Sequence, residues 1–320
     1  MRAAVVHEVG AVPEPGELPD PTPSSDEALV QVRAAALNPI DLAIASGRFY
    51  AGPPHVPYAP GREGVGVVRE SKTLPSGARV RFERDSGYGA NGSLAELIVV
   101  DEEALVPLPD EADDAVSSAL GIAGLAAWLA LQKAEIQRGE TVLVLGATGA
   151  VGQVAVQGAK LLGAGRVVAA ARNADALERT RELGADAIVP LGDDDPAEAY
   201  KEAAGGDVDA VIDPVWGAPA VASLGVLRIG GRLVHLGTAA GLEATVPSAP
   251  LRGKNVRIIG HSNLTTPHET KARAYRELLE HVLAGRIRVD LDVFPLDRVA
   301  DAWREQAASP HRKIVVSLVQ

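Results

Sequence analysis

The sequence predicts an α/β protein in which a β-rich N-terminal segment precedes a parallel sheet wrapped in helices. Two observations carry that prediction. Between residues 141 and 260, short apolar runs alternate with stretches of helical period. This is the pattern of strands buried on both faces and joined by helical crossovers. The run TVLVL (Thr141–Leu145) also passes through a glycine-bearing turn straight into a helical pattern, which is how a βαβ unit opens.

Residues 1–115 read as β-rich, with runs at 28–35, 64–69 and 95–100 set between Pro- and Gly-bearing turns. Residues 13–25 and the Pro-rich 52–60 read as loops. From residue 116 the texture changes. The expected strands are Thr141–Leu145, Arg166–Ala171, Ala187–Pro190, Val208–Asp213, 232–236 and 256–260. In the helix after the first strand, Val151, Val154, Ala155, Gly158 and Leu162 share one face. Helices over 271–284 and 299–306 then precede a last strand at 313–319.

The 320-residue length corresponds to about two domains at roughly 100–200 residues each. Hydrophobic residues make up 47% and charged residues 23%, enough for a real core, but aromatics are only 3% and the core is therefore aliphatic. The net charge of −11 argues against nucleic acid or an anionic membrane as partner. With no cysteine there are no disulfides and no thiolate ligands. The N-terminus lacks a signal-type apolar run, and no stretch is expected to approach the ~20 apolar residues of a membrane span. A cytoplasmic location is the expectation.

The glycine turn reads Ala147-Thr148-Gly149-Ala150-Val151-Gly152. Gly149 lets the backbone approach a pyrophosphate, Gly152 lets the helix pack on the strand, and the helix start offers free N–H groups to the anion. Cofactor choice is set at the end of the next strand, where NAD enzymes carry an acid that bonds the ribose. Here the chain reads Ala170-Ala171-Arg172-Asn173, with no acid before Asp175. A guanidinium pairs with a 2′-phosphate and an acid repels it, so NADPH is expected; Arg172 as a plain surface residue is the alternative.

In this order, the segments 36–41 (ALNPID), 60–68 (PGREGVGVV), 121–131 (GIAGLAAWLAL), the glycine turn and 212–217 (IDPVWG) resemble the medium-chain dehydrogenase/reductase superfamily. Within it, the chain looks like the zinc-free quinone oxidoreductase branch, the ζ-crystallin-like reductases. The resemblance implies a Rossmann cofactor domain (116–261) inserted in a β-rich GroES-like substrate domain (1–115 plus 262–320). It implies hydride transfer from NADPH to a quinone or an α,β-unsaturated carbonyl. Zinc relatives carry Gly-His-Glu where this chain has Gly61-Arg62-Glu63, and the seven His residues show no ligand spacing; no metal is expected.

Asn38 is the first candidate at the chemistry, since the family's equivalent Asn lies near the nicotinamide. Asn38-Pro39-x-Asp41 is equally a helix start, with Asn as N-cap and Asp41 as the reciprocal carboxylate. Tyr50 is the second, as a proton donor or substrate contact, although Phe49 holds the position where relatives place their Tyr. Ligands in such sheets sit beyond the carboxyl ends of the strands, which nominates Gly237 and Thr238, then Gly260 and His261; His261 reads equally as a structural residue. The resemblance adds Gly121 to the cofactor's surroundings. It also places the basic run 311–313 (HRK) where relatives carry phosphate-touching residues; solvated surface is the other reading. A homodimer through the strand 256–260 is expected.

A short-chain reductase shares the glycine turn but needs Tyr-x-x-x-Lys, which none of the five Tyr residues supplies. Two alternatives stay open: an enoyl-thioester reductase, with Arg48, Arg62, Arg252 and Lys254 as candidate contacts, and a non-catalytic NADPH-binding sensor or structural protein.

Overall fold

The computed structural model describes residues 1–192 and 194–319. The chain forms two compact units. One holds Met1–Ile122, His268–Tyr275 and Val289–Gln320; the other holds Ala123–Pro267 and Arg276–Arg288.

The first unit opens with β1 (Arg2–Val5), β2 (Glu14–Glu17), β3 (Glu27–Ala36), α1 (Pro39–Ala45) and β4 (Glu63–Glu70). β5 (Arg79–Glu83), β6 (Leu97–Asp101), β7 (Val106–Pro107) and α2 (Asp114–Ala119) follow. The second unit begins with α3 (Leu125–Ala134), β8 (Thr141–Leu145), α4 (Ala150–Leu161), β9 (Arg166–Ala171) and α5 (Ala174–Arg179). It continues through β10 (Ala187–Pro190), α6 (Ala197–Ala204), β11 (Val208–Asp213) and α7 (Gly217–Val226). β12 (Leu227–His235), α8 (Ser248–Gly253) and β13 (Arg257–Gly260) complete its sheet. The last elements are α9 (His268–Leu283), β14 (Leu291–Pro295), α10 (Val299–Ala307) and β15 (Lys313–Ser317).

The second unit is a Rossmann-type α/β layer. Its six strands run β10-β9-β8-β11-β12-β13, all parallel. The order reverses between β8 and β11, and such a switch point leaves a crevice beyond the strand ends where ligands bind. β8 is buried along Val142–Leu145, and the cluster around Leu143, Leu145, Val168, Val211 and Leu233 forms this unit's core. Continuous burial of β8 and β9 explains why they appear in the sequence as apolar runs.

The first unit is GroES-like. Its seven-stranded sheet runs β14-β15-β3-β4-β5-β7, with β6 also paired to β3. All pairings are antiparallel except β14 with β15. Burial alternates along most of β3, so Val30 and Val32 meet Phe82, Ile98 and Val316 in one core.

Two expectations need correction. The loop expected at 13–25 contains β2, which pairs with β1. β2 is exposed at three of its four positions and carries Pro15 and Gly16, so neither alternation nor β-propensity marks it. The expectation that no stretch approaches a membrane span also fails. The helical run Asp114–Ala134 is 21 residues long with mean hydropathy 1.5, and 72% of its apolar window is buried inside the protein. It is apolar because it is interior.

Candidate active site

The crest of the parallel sheet is built from backbone. β8 ends at Leu145, and α4 starts five residues later with Gly149 as its N-cap. A Cβ on Gly152 would lie 2.4 Å from the Gly146 carbonyl oxygen and 2.5 Å from Ala147 Cα, so the strand–helix approach requires glycine there. Gly149 differs: its nearest neighbour would be 3.6 Å away, leaving its face open to a ligand. The first intrahelical bond is Gln153 N–H to Gly149 O at 2.9 Å. The N–H groups of Ala150, Val151 and Gly152 therefore have no partner further back in the helix. An anion is favoured at such a start by these donors and by the helix dipole. Ala147 and Thr148 are buried beneath the turn. The residues present fit a dinucleotide pyrophosphate.

At the end of β9, Arg172 is exposed. Asn173 beside it is the N-cap of α5, its side-chain oxygen accepting the Ala176 N–H at 2.8 Å. Beyond β11 and β12 lies a group the sequence reading did not single out. Asp213 is fully buried. One of its oxygens accepts the N–H groups of Val215 and Trp216, at 3.0 and 2.8 Å. The other lies 2.9 Å from His235 Nδ1, and the Trp216 and His235 rings meet at a 45° tilt with their centres 4.4 Å apart. Gly237 and Thr238 follow on this edge.

After β13, the Gly260 carbonyl accepts from Lys133 Nζ at 3.1 Å. His261 is buried, with Nε2 3.0 Å from Asn263 Oδ1. Burial, helped by the charge of Lys133, holds its pKa below the ordinary value against the Asn263 hydrogen bond. A neutral imidazole is the form this site favours.

The first unit carries a charged interior. Asn38, Asp41, Glu63 and Lys313 are all buried. Lys313 Nζ donates to the Asn38 side-chain oxygen at 2.6 Å, to the Leu37 carbonyl at 2.8 Å and to Glu63 at 3.3 Å. Asn38 Nδ2 donates to Glu63 at 2.7 Å and to the Ala36 carbonyl at 3.3 Å. Asn38 is also the N-cap residue of α1, and Asp41 accepts its backbone N–H at 2.8 Å. The two readings of this segment coexist, and the Asn38 amide is committed to Glu63 and Lys313. The other Asp41 oxygen has no hydrogen-bond partner. Burial pushes the Asp41 carboxyl up to about 7, with the Glu63 charge adding to it and the Asn38 N–H opposing.

Gly121 sits against this cluster, since a Cβ there would lie 1.9 Å from a Glu63 carboxylate oxygen. The other acceptor role of Glu63 is toward the Ile122 N–H. Of the basic run near the C-terminus, Lys313 is consumed inside the unit, and Arg312 pairs with Asp292 at 2.8 Å. Among the thioester candidates, Arg48 donates to Ser46 at 3.0 Å. Lys254 donates to the Gly225 and Leu227 carbonyls at 2.7 and 2.8 Å. A second charged group follows: Glu83 accepts from Lys271 at 3.0 Å and from Arg81 at 3.2 Å. Burial alone would raise the Glu83 pKa, but Arg81, Lys271 and Arg62 outweigh it and hold the carboxyl below its ordinary value.

Tyr50 is open, 82% exposed, with its ring 4.1 Å from Phe49. The sequence reading missed Glu63 as a hub and the Asp213–His235 pair. The available signal was charge in otherwise apolar strands: Glu63 begins β4 and Asp213 ends β11, and a buried carboxylate requires a partner.

Residues 24–110 match the family described as alcohol dehydrogenase GroES-like domain, and residues 150–281 match zinc-binding dehydrogenase. An alcohol dehydrogenase of Geobacillus stearothermophilus is 28% identical over 330 residues, covering 95% of both chains. A chloroplastic NADPH-dependent alkenal/one oxidoreductase of Arabidopsis thaliana is 30% identical over 294 residues, spanning 88% of this chain and 69% of that one. Among solved structures, the quinone oxidoreductase of Thermus thermophilus, also crystallised with NADPH, superposes with a TM-score of 0.80 at 31% identity. That match covers 99% of this chain and 100% of the other. The chain therefore belongs to the medium-chain dehydrogenase/reductase superfamily of nicotinamide-dependent oxidoreductases, on its quinone oxidoreductase branch.

Proposed function

We propose that the protein is an NADPH-dependent reductase that passes hydride to a quinone or an α,β-unsaturated carbonyl without zinc. One observation carries the cofactor choice: exposed Arg172 directly follows β9, the strand next to β8, with no acid before Asp175. The names of the alkenal/one and quinone relatives support the acceptor class. The donor set does not suit zinc. The chain has no cysteine, a guanidinium occupies position 62, and among the described residues no three His, Asp or Glu side chains converge on a metal site.

In this reading, the N–H groups of Ala150, Val151 and Gly152 hold the pyrophosphate above Ala147, Thr148 and the open face of Gly149. Arg172 takes the 2′-phosphate, with Asn173 fixing the start of α5 beside it. Gly237, Thr238, Gly260 and His261 border the remainder of the cofactor, and the bound nicotinamide supplies hydride. Asn38 acts as a positioning residue, since both its amide hydrogens are engaged. Tyr50 faces the acceptor.

The test is the rate of NADPH and NADH oxidation with one small quinone and one simple enone, in wild type and Arg172→Ala. A charge-assisted pair is worth about 1.5–3 kcal/mol, so KM for NADPH is expected to rise about 10–100-fold while NADH is unaffected. Equal losses for both cofactors overturn the 2′-phosphate assignment. NADPH binding without oxidation by any acceptor overturns the reductase reading.

A further inference from the structure

Trp216 stands in a backbone conformation that only glycine adopts without strain, with φ at 58° and ψ at −159°. A side chain held there costs stability, and such costs gather where geometry serves a ligand. What holds it is Asp213, fully buried at the end of β11. One Asp213 oxygen accepts the N–H groups of Val215 and Trp216 at 3.0 and 2.8 Å. The turn is fixed further by the Ala240 N–H, which donates to the Val215 carbonyl at 2.7 Å.

The second Asp213 oxygen lies 2.9 Å from His235 Nδ1. A carboxylate only accepts, so Nδ1 carries the proton and the neutral imidazole keeps a bare lone pair on Nε2. Among the described residues no protein group bonds that Nε2, and the side chain is 27% exposed. The Trp216 ring lies against the imidazole and fixes its plane. The strain at Trp216 thus accompanies an oriented acceptor that faces solvent.

This group stands at the ligand-bearing end of the sheet. β12 ends at His235, whose carbonyl accepts the His261 N–H at 2.8 Å. The turn after β11 packs on the glycine turn, since a Cβ on Gly146 would lie 2.8 Å from Val215 Cγ1. In the strand order, β9 lies on one side of β8, and β11 and β12 lie on the other. A dinucleotide laid across such a crest puts one nucleotide half on each side of the glycine turn. Adenosine at Arg172, beyond β9, leaves the nicotinamide half to the ends of β11 and β12.

We propose that His235 accepts, at Nε2, a hydrogen bond from a hydroxyl of the nicotinamide ribose, and that Asp213 and Trp216 are the positioning residues that set its tautomer and ring plane. The proposal rests on the NADPH reading and adds to it the group that holds the cofactor's second half. A ribose suits the site chemically. Its hydroxyls are neutral donors, and an acceptor nitrogen backed by a buried carboxylate favours them over an anion. The contribution is orientation, and no bond is made or broken at His235.

The experiment measures the binding of three ligands to the full chain by calorimetry. They are NADPH, 2′-phospho-ADP-ribose, which carries the second ribose without nicotinamide, and 2′,5′-ADP, which carries neither. Removing one hydrogen-bond partner costs about 3–10-fold in affinity. His235→Leu is expected to lose that factor for NADPH and 2′-phospho-ADP-ribose, and to keep 2′,5′-ADP within about twofold. His235→Gln, whose amide places an oxygen near the Nε2 position, recovers part of the loss. Trp216→Gly suits the backbone but frees the imidazole plane; it weakens the same two ligands and spares 2′,5′-ADP.

Wild-type affinity of His235→Leu for all three ligands would overturn the assignment. An equal loss for all three, the mark of a structural histidine, would do the same. If that variant does not fold, unchanged affinities in Trp216→Gly overturn it instead. A wild-type protein that binds none of the three overturns the NADPH reading, and this proposal with it. One that prefers NADH overturns the Arg172 assignment alone, and ADP-ribose and ADP then replace the phosphorylated pair in the same comparison.

Discussion

The crest of the parallel sheet and the charged interior of the GroES-like unit solve the same problem, holding charge inside a protein, with opposite materials. At the crest, the groups that would face a phosphate are backbone N–H donors at the start of α4, and the side chains are small. Inside the GroES-like unit, the work is done by long side chains. Glu63 collects Asn38, Lys313 and the Ile122 N–H from 25, 250 and 59 residues away in sequence. The first device tolerates little change in shape, the second little change in charge.

That contrast is tested most strongly at Lys313. Replacing it with Met leaves Glu63 buried without its cation, and breaking a buried pair in this way costs about 3–5 kcal/mol. Urea unfolding of Lys313→Met is expected to show that loss, with a large part recovered in the double variant Lys313→Met/Glu63→Gln. Equal losses with and without Glu63→Gln would mean that packing of the lysine stem, and not its charge, stabilises the unit.

The next effect lies at the crest and is steric. Gly152→Ala puts a Cβ 2.4 Å from a carbonyl oxygen, so the strand and helix must separate, with an expected cost of roughly 2–4 kcal/mol. Gly149→Ala meets nothing closer than 3.6 Å and is expected to keep the melting temperature while weakening cofactor binding. A melting temperature lowered equally by both substitutions would show that the Gly149 face serves packing and not a ligand.

The smallest effect is a pH dependence. The Asp41 carboxyl titrates at about 7 in the folded chain against an ordinary value of 3.8. The native state therefore binds this proton more tightly than the unfolded state does. The contribution of Asp41 is most favourable at low pH and is lost as pH rises from about 4 through about 7. Asp41→Asn keeps an acceptor for the Asn38 N–H and removes the charge. It is expected to exceed wild type by ~1–3 kcal/mol at pH 8 and to approach it only as the pH falls to about 4. A stability difference that does not change with pH would place the origin of the effect elsewhere.

Legibility followed the same division. Ala147 to Gly152 stand out in the sequence because a backbone-built site demands small residues at fixed offsets between a strand and a helix, all within a dozen positions. β8 and β9 are legible to the residue, since strands buried nearly throughout must be apolar; β10 and β11 are legible as well, although β10 is only partly buried and β11 carries Asp209 and Asp213. β2 was hidden because an exposed strand at a sheet edge has no such demand placed on it. Asn38 could be placed at a helix start but not inside a polar network, because its partners are remote in the chain. Gly121 illustrates the same limit. Its glycine is conspicuous, but that it makes room for the Glu63 carboxylate is a fact of packing.

By itself, then, the sequence determined the parallel sheet, its glycine turn and the absence of an acid beside Arg172, because local geometry dictates residue type there. Only the tertiary structure decided that Glu63, Asn38 and Lys313 form one buried group, and that Asp213 holds His235. A charge carries no record in sequence of the partner that folding brings to it.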